Sequence, residues 1–209
     1  MTQSLKKFIE AEILPRYDAF DKAHSRDHII AVIEQSLNFV RYYDVNEDMV
    51  YAAAAYHDLG IEFGRELHHI HSARIVREDS RLLQWFNPQQ IETIACAVED
   101  HRASSKSEPR GIYGRILAES DRVIIPEQVV LRTIQFGQSH YPACDTEQQW
   151  QRTLHHLKEK YGHYGYLRLW IPESPNHVRL QQLRNLIDDE VALRKLFDQI
   201  VNGSEIHID

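Results

Sequence analysis

Cysteine is scarce in this 209-residue chain: only Cys96 and Cys144 occur, with no CxxC spacing and too few thiols for a disulfide framework. That excludes a cysteine-stapled secreted scaffold and a thiolate zinc site, and it fits a reducing, cytoplasmic setting. Long apolar runs are also missing, and no stretch approaches the ~20 residues that span a bilayer. The N-terminal MTQSLKKFIEAEILPRY is amphipathic and broken by charges, without the apolar centre of a signal peptide. Secretion and membrane spanning are therefore not expected. Positive charge is in deficit, with 24 Lys and Arg against 31 Asp and Glu and a net charge of -7. This argues against an extended nucleic-acid-binding surface, although a local basic patch can still hold phosphate.

The sequence also lacks a Pro/Gly/Ser linker, an internal repeat and any sustained apolar-polar alternation that would argue for a sheet. Apolar residues instead recur at helical spacing almost throughout. The pattern predicts one all-α domain over residues 1–209, a compact multi-helix bundle with a motif-bearing core at 24–122 and a helical C-terminal segment at 126–209. Helices are expected at about 3–18, 26–43, 46–57, 67–78, 88–102, 111–123, 127–139, 146–161, 175–188 and 189–201. Asn87-Pro88 and Ser174-Pro175 read as helix starts, a capping side chain followed by Pro at the first helical position. RASSKSEPRG reads as a loop.

What the chain has in excess is histidine, with thirteen residues concentrated in a few stretches. His57-Asp58 closes the run VYAAAAYHDLG, and Gly60 suits a left-handed helix cap there. An adjacent imidazole and carboxylate can face one metal ion, although such a pair at a helix end is commonly a cap or a satisfied polar contact. Around it lie His24 and His28 in AHSRDHIIAV, the cluster ELHHIHSARI, His101 in VEDHR and Asp121 in AESDR. His28 precedes Val32 by one turn on the buried side of its helix. His101 extends the stripe Ile91, Ile94, Val98, and Asp121 extends Tyr113 and Leu117, where it would be a buried carboxylate needing a cation. A single histidine on such a face is usually a satisfied core residue; polar intrusions on successive helices near an HD pair favour a site.

In this order the series His28, His57-Asp58, His68, His101, Asp121 resembles the HD-domain superfamily of metal-dependent phosphohydrolases. The resemblance covers about residues 24–122. It selects His28 over His24 as ligand, and His68 over the close alternative His69 through the small pair Ser72-Ala73. It implies a metal site between helices, with His28, His57, Asp58 and Asp121 holding a divalent Mn, Fe, Co or related ion. His68 and His101 would add a second ion bridged by Asp58. A metal-activated hydroxide would then hydrolyse a phosphoester or phosphoanhydride of a nucleotide or similar small phosphate compound. The same six ligands also occur in HD-fold di-iron oxygenases, and a non-catalytic nucleotide-binding HD protein is the third reading. No Gly-Tyr-Pro signature of the cyclic-dinucleotide branch is present.

Arg102, Lys106, Arg110 and Arg115 lie in one basic segment, and Arg26 with His24 lies near His28, so these are candidate phosphate contacts; a solvated loop is the plainer reading. Glu62 and Glu66 follow the HD pair and are candidates for proton transfer beside Asp58. In the C-terminal half, Tyr161, Tyr164, Tyr166 and Trp170 could stack on a base, though aromatics in such numbers are more often core, and Lys158 and Lys160 could reach a phosphate. The oligomeric state is open, a homo-oligomer included.

Overall fold

A computed structural model describes residues 1–20, 24–102 and 107–203, and every regular element among them is helical. The chain forms two compact units, Met1–Arg122 and Val123–Asp209. No helix among the described residues is long and apolar enough to cross a membrane.

The first unit contains α1 (Gln3–Phe8), α2 (Arg26–Val40), α3 (Glu47–Tyr56), α4 (His68–Glu78), α5 (Pro88–Asp100) and α6 (Ile112–Ser120). The single helix expected at 3–18 is in fact three segments: α1, a π-helical turn Ile9–Ile13 and a 3-10 turn Leu14–Ala19. Pro15 offers no amide hydrogen and crowds the preceding turn, so the helix widens before it and tightens after it. Leu5, Ile9, Ile13 and Tyr17 nevertheless all remain buried.

Local chemistry sets the other ends. Asn46 starts α3 by accepting from the amides of Asp48 (2.9 Å) and Met49 (3.2 Å). Asn87 and Gln90 form a reciprocal capping box at α5, with Pro88 in the first turn, as the sequence predicts. Ala52–Ala55 are buried and admit close packing of α3 against α2 and α5.

Gly60 departs from expectation. It has no left-handed backbone, a role that falls to Gly64 (φ 107°). Gly60 lies inside a 3-10 turn, Leu59–Phe63, where a Cβ would stand 2.2 Å from the His68 carbonyl oxygen. Its amide donates to Ser72 Oγ at 2.8 Å, so the missing side chain is what lets α4 approach the HD turn.

The second unit contains α7 (Pro126–His140), α8 (Thr146–Tyr161), α9 (Asn176–Asp188) and α10 (Glu190–Val201). Its core includes Val130, Ile134, Trp150, Leu157, Leu183 and Phe197. Asp145 and Gln148 form a second capping box, and Asp189 caps α10 through the Ala192 amide. Ser174 Oγ accepts the Asn176 amide at 3.1 Å with Pro175 already helical, which is the start expected from Ser174-Pro175. Of the aromatics singled out above, Tyr164 is fully exposed, whereas Leu167 and Ile171 beside them enter the core.

Candidate metal centre

Six side chains from five helices of the first unit converge, and all six sit at helix ends. His28 is in the first turn of α2 and His68 opens α4; His57, His101 and Asp121 are the C-caps of α3, α5 and α6, with Asp58 next after His57. The C-terminal ends of three helices therefore face a common point, and their carbonyl dipoles add negative potential there.

Backbone carbonyls orient three of the rings in the same manner. His57 Nδ1 donates to the Ala54 carbonyl at 2.7 Å, His68 Nδ1 to that of Arg65 at 2.8 Å, and His101 Nδ1 to that of Val98. A carbonyl only accepts, so Nδ1 carries the hydrogen and Nε2 of each ring is left as the lone-pair donor.

The Nε2 atoms divide between the two oxygens of Asp58. Oδ2 lies 3.3 Å from His57 and 3.7 Å from His28, while Oδ1 lies 3.4 Å from His68 and 3.6 Å from His101. Asp121 Oδ1 closes the first group at 3.1 Å from His28 and 3.6 Å from His57. Nε2 of His68 and His101 are 3.2 Å apart. Neighbouring ligands of an ion held at ~2.1 Å stand about 3 Å apart, so this spacing suits metal coordination.

His57 Nε2 is buried without a hydrogen bond, although two carboxylates stand nearby. Electrostatics point the same way. Burial opposes ionisation of Asp58, yet the charge of His57 and the close approach of His101 and His57 prevail and hold its carboxyl well below the usual range. Burial likewise works against Asp121, and the close approach of His28 and His57 outweighs it. Burial disfavours a charged His57, but Asp58 and Asp121 raise its proton affinity well above normal. His68 moves down, through burial and then the charge of His101. The centre thus carries two ionised carboxylates and draws positive charge onto His57, a demand that a divalent cation meets without protonating a ligand nitrogen. The donor set, imidazole and carboxylate without thiolate, fits such an ion.

Asp121 was expected to be buried; its side chain is 18% exposed. Asp121 caps α6 with its backbone still helical, its amide donating to the Leu117 carbonyl at 2.9 Å, and stands with half-buried His28 on the more exposed side of the centre. The fully buried acid of that helix is Glu119, whose Oε2 lies 4.0 Å from Arg122 Nη1, a pair that passed unnoticed in the sequence although its i,i+3 spacing was there to read. Tyr17 was also missed. Its hydroxyl donates to the Ala55 carbonyl at 2.8 Å beneath the HD turn, and burial followed by the Asp58 charge raises its pKa. Nothing in the first segment, beyond an apolar stripe, pointed to it.

His68 meets Asp58, whereas His69 packs edge-on against His68 with ring centroids 5.5 Å apart. His24 borders the group, its ring 6.5 Å from that of His68 and its Nε2 3.4 Å from Arg65 Nη2. The other candidates are dispersed. Arg26 faces Asp18 at 3.6 Å, Arg110 is paired with Asp100 and Glu99, and Arg115 with Glu108. Glu62 is ion-paired with Arg16 at 2.9 Å, and Glu66 is exposed. Arg102 stands close enough to His69 that its charge, after burial and His68, helps lower that ring's pKa to about 4. Lys106 lies outside the described residues.

A scan against protein families matches residues 26–124 to the HD domain. Neither the curated proteins nor the solved structures give a match. The matched segment takes in His28, His57, Asp58, His68, His101 and Asp121 together with the helices that hold them. Over residues 26–124, with that ordered series and its all-helical frame, the chain is similar to the HD-domain superfamily, in agreement with the resemblance read from the sequence.

Proposed function

We propose that this protein is a metal-dependent phosphohydrolase acting on a nucleotide or similar small phosphate compound. The observation that carries the reading is the division of four imidazole nitrogens between the two oxygens of a single buried carboxylate, Asp58. His28, His57, Asp58 and Asp121 would hold one divalent ion, and His68 and His101, through Asp58 Oδ1, a second. Bound there, such ions supply Lewis acidity toward a phosphoryl oxygen and a water of lowered pKa.

The chain's own residues supply the rest. Two carboxylates offset two of the four positive charges of an ion pair, so a phosphate dianion completes the balance and is the ligand class the centre favours. The carbonyls of Ala54, Arg65 and Val98 keep three rings in the tautomer that presents Nε2. Arg102, next in sequence to His101, is the described member of the basic segment assigned to steady the substrate, and His24, with Arg65 beside it, borders His68. Glu62 and Glu66 follow the HD turn as the carboxylates nearest in sequence for moving a proton, Glu62 once released from Arg16.

The test is a screen of purified protein, loaded in turn with Mn, Fe or Co, against nucleotides and simple phosphate esters, with phosphate release as readout and elemental analysis for stoichiometry. Metal-dependent phosphate release is expected. Oxygen consumption by the iron form without phosphate release would replace this reading with an oxygenase, and tight nucleotide binding without turnover would replace it with a sensor.

A further inference from the structure

A cavity of about 370 Å³ opens within the C-terminal unit, between α7 and α8, and no residue of the metal centre lines it. Its walls include Arg132, Arg152 and Lys160, the imidazole of His156, and the rings of Phe136 and Tyr161. No carboxylate lines it, in a chain whose net charge is -7. The volume lies at the lower end of the range for small-molecule sites.

The cationic wall is partly fixed in place. Arg152 donates from Nε to Gln149 Oε1 at 3.2 Å and from Nη2 to the Thr133 carbonyl, which leaves its Nη1 group outside those bonds. Gln149 is held in turn by the carbonyls of Gly137 (3.2 Å) and Tyr141 (2.8 Å). Gly137 makes this possible, since a Cβ there would stand 2.1 Å from Arg152 Nη2. Burial, then the charges of Lys160 and Arg152, lower the pKa of His156, against a smaller opposing pull from Glu159. Phe136, half exposed, lies one turn from Arg132 on α7, with one face of its ring stacked on His140 at 3.9 Å.

Cations and aromatic rings contributed by both helices to one cavity match a ligand with an anionic end and a flat apolar body. We propose that this cavity is a second ligand site, separate from the metal centre, for a small phosphorylated molecule bearing a planar group, such as a nucleoside monophosphate. Arg132 and Lys160 contact the phosphate, a preorganised Arg152 steadies it, and Phe136 packs against the planar group.

Calorimetric titration of the full chain in excess chelator removes the metal centre's claim on phosphate. The probes are the four common nucleoside monophosphates, inorganic phosphate, and adenosine. At least one monophosphate should bind more tightly than either phosphate or adenosine, and His28→Ala should leave that affinity unchanged. Arg132→Glu, at an exposed position, should weaken it at least about tenfold, the effect of one lost charge-assisted contact, and Phe136→Ala should weaken it by a smaller factor. If no monophosphate binds at millimolar concentration, if Arg132→Glu and Lys160→Glu both bind as the wild type does, or if binding is lost in His28→Ala, the proposal is overturned. Adenosine binding as tightly as its monophosphate would overturn it as well, because the cationic wall would then play no part.

Discussion

The first unit buries His57, Asp58 and His101 beside Ala54, Tyr56 and Val98, and their unsatisfied lone pairs meet at one point. The second unit also buries polar groups, but Gln149 donates to the Gly137 and Tyr141 carbonyls and Thr133 donates to that of Val129 at 2.7 Å, with the neutral Thr153 hydroxyl as an exception that makes no hydrogen bond. Polar burial of the second kind closes a fold, because donors and acceptors are matched within the protein. In the first unit the inventory is unbalanced toward acceptors and negative charge. Only something from outside the chain completes it, and this difference, more than the count of histidines, marks the first unit as the place of chemistry.

Two substitutions separate these kinds of burial, and the larger effect belongs to Asp58→Ala. Removing the carboxylate shared by both ligand groups should strip bound metal and bring the proposed phosphohydrolase activity down by on the order of a thousandfold or more, while helical content stays as in the wild type. Elemental analysis with circular dichroism checks this, and full metal occupancy in the variant would remove Asp58 from the centre. The counterpart is Phe197→Ala in the second unit. Phe197 is fully buried with its ring edge-on to Trp150 at 5.4 Å, so truncation should cost about 3–5 kcal/mol of stability. Metal per folded protein should not change. A denaturant titration with parallel metal analysis would break the contrast if the two variants behaved alike.

His101→Ala sharpens the account of the first unit. If the oxygens of Asp58 serve two ions, the metal-to-protein ratio should fall by about one half, with the ion held by His28, His57, Asp58 and Asp121 retained. An unchanged ratio would mean that His68 and His101 contact substrate or each other.

Much of this frame was legible in the sequence because it rests on local chemistry. Helical periodicity, the Asn87 cap with Pro88, and the alanine run before His57 are short-range signals, and each helix they predicted after residue 25 formed with small shifts at its ends. The interruptions were less visible. Pro15 signals a break, but widening to a π-helical turn before it depends on keeping Ile9 and Ile13 buried, a tertiary demand. The order of candidate ligands could be read, and the convergence of all six agrees with it. Their division into two groups sharing Asp58 was implied by the family resemblance and not by spacing, since it depends on where five helix ends meet. For the same reason Asp121 was placed inside when it stands at the edge, and Gly60 was assigned a dihedral role when its task is contact with α4. Arg110 and Arg115 had the right sign for phosphate, but sequence cannot show that Asp100, Glu99 and Glu108 already hold them.

The smallest of the expected effects concerns Asp79, a carboxylate the first unit buries without any need for a cation. Its side chain is 8% exposed, Arg81 donates to it from Nε and Nη2 at 2.7 Å each, and the Tyr56 hydroxyl donates at 2.7 Å. Burial works against its ionisation, and the hydrogen bonds from Arg81 and Tyr56 prevail, so its pKa lies below the ordinary value. A folded-state pKa depressed in this way contributes stability that is present in full above the unfolded value of about 3.9 and is lost as pH falls through the folded one. Tyr56→Phe removes one donor to that charge and should cost about 1.5–3 kcal/mol at neutral pH. The deficit should shrink below about pH 4, as the wild type loses the same charged acceptor. Urea midpoints of the two proteins across that range give the answer. A deficit that is the same at both ends would mean that the hydroxyl acts through packing and not through the carboxylate charge, and Asp79 would then no longer stand as the self-sufficient counterpart of Asp58.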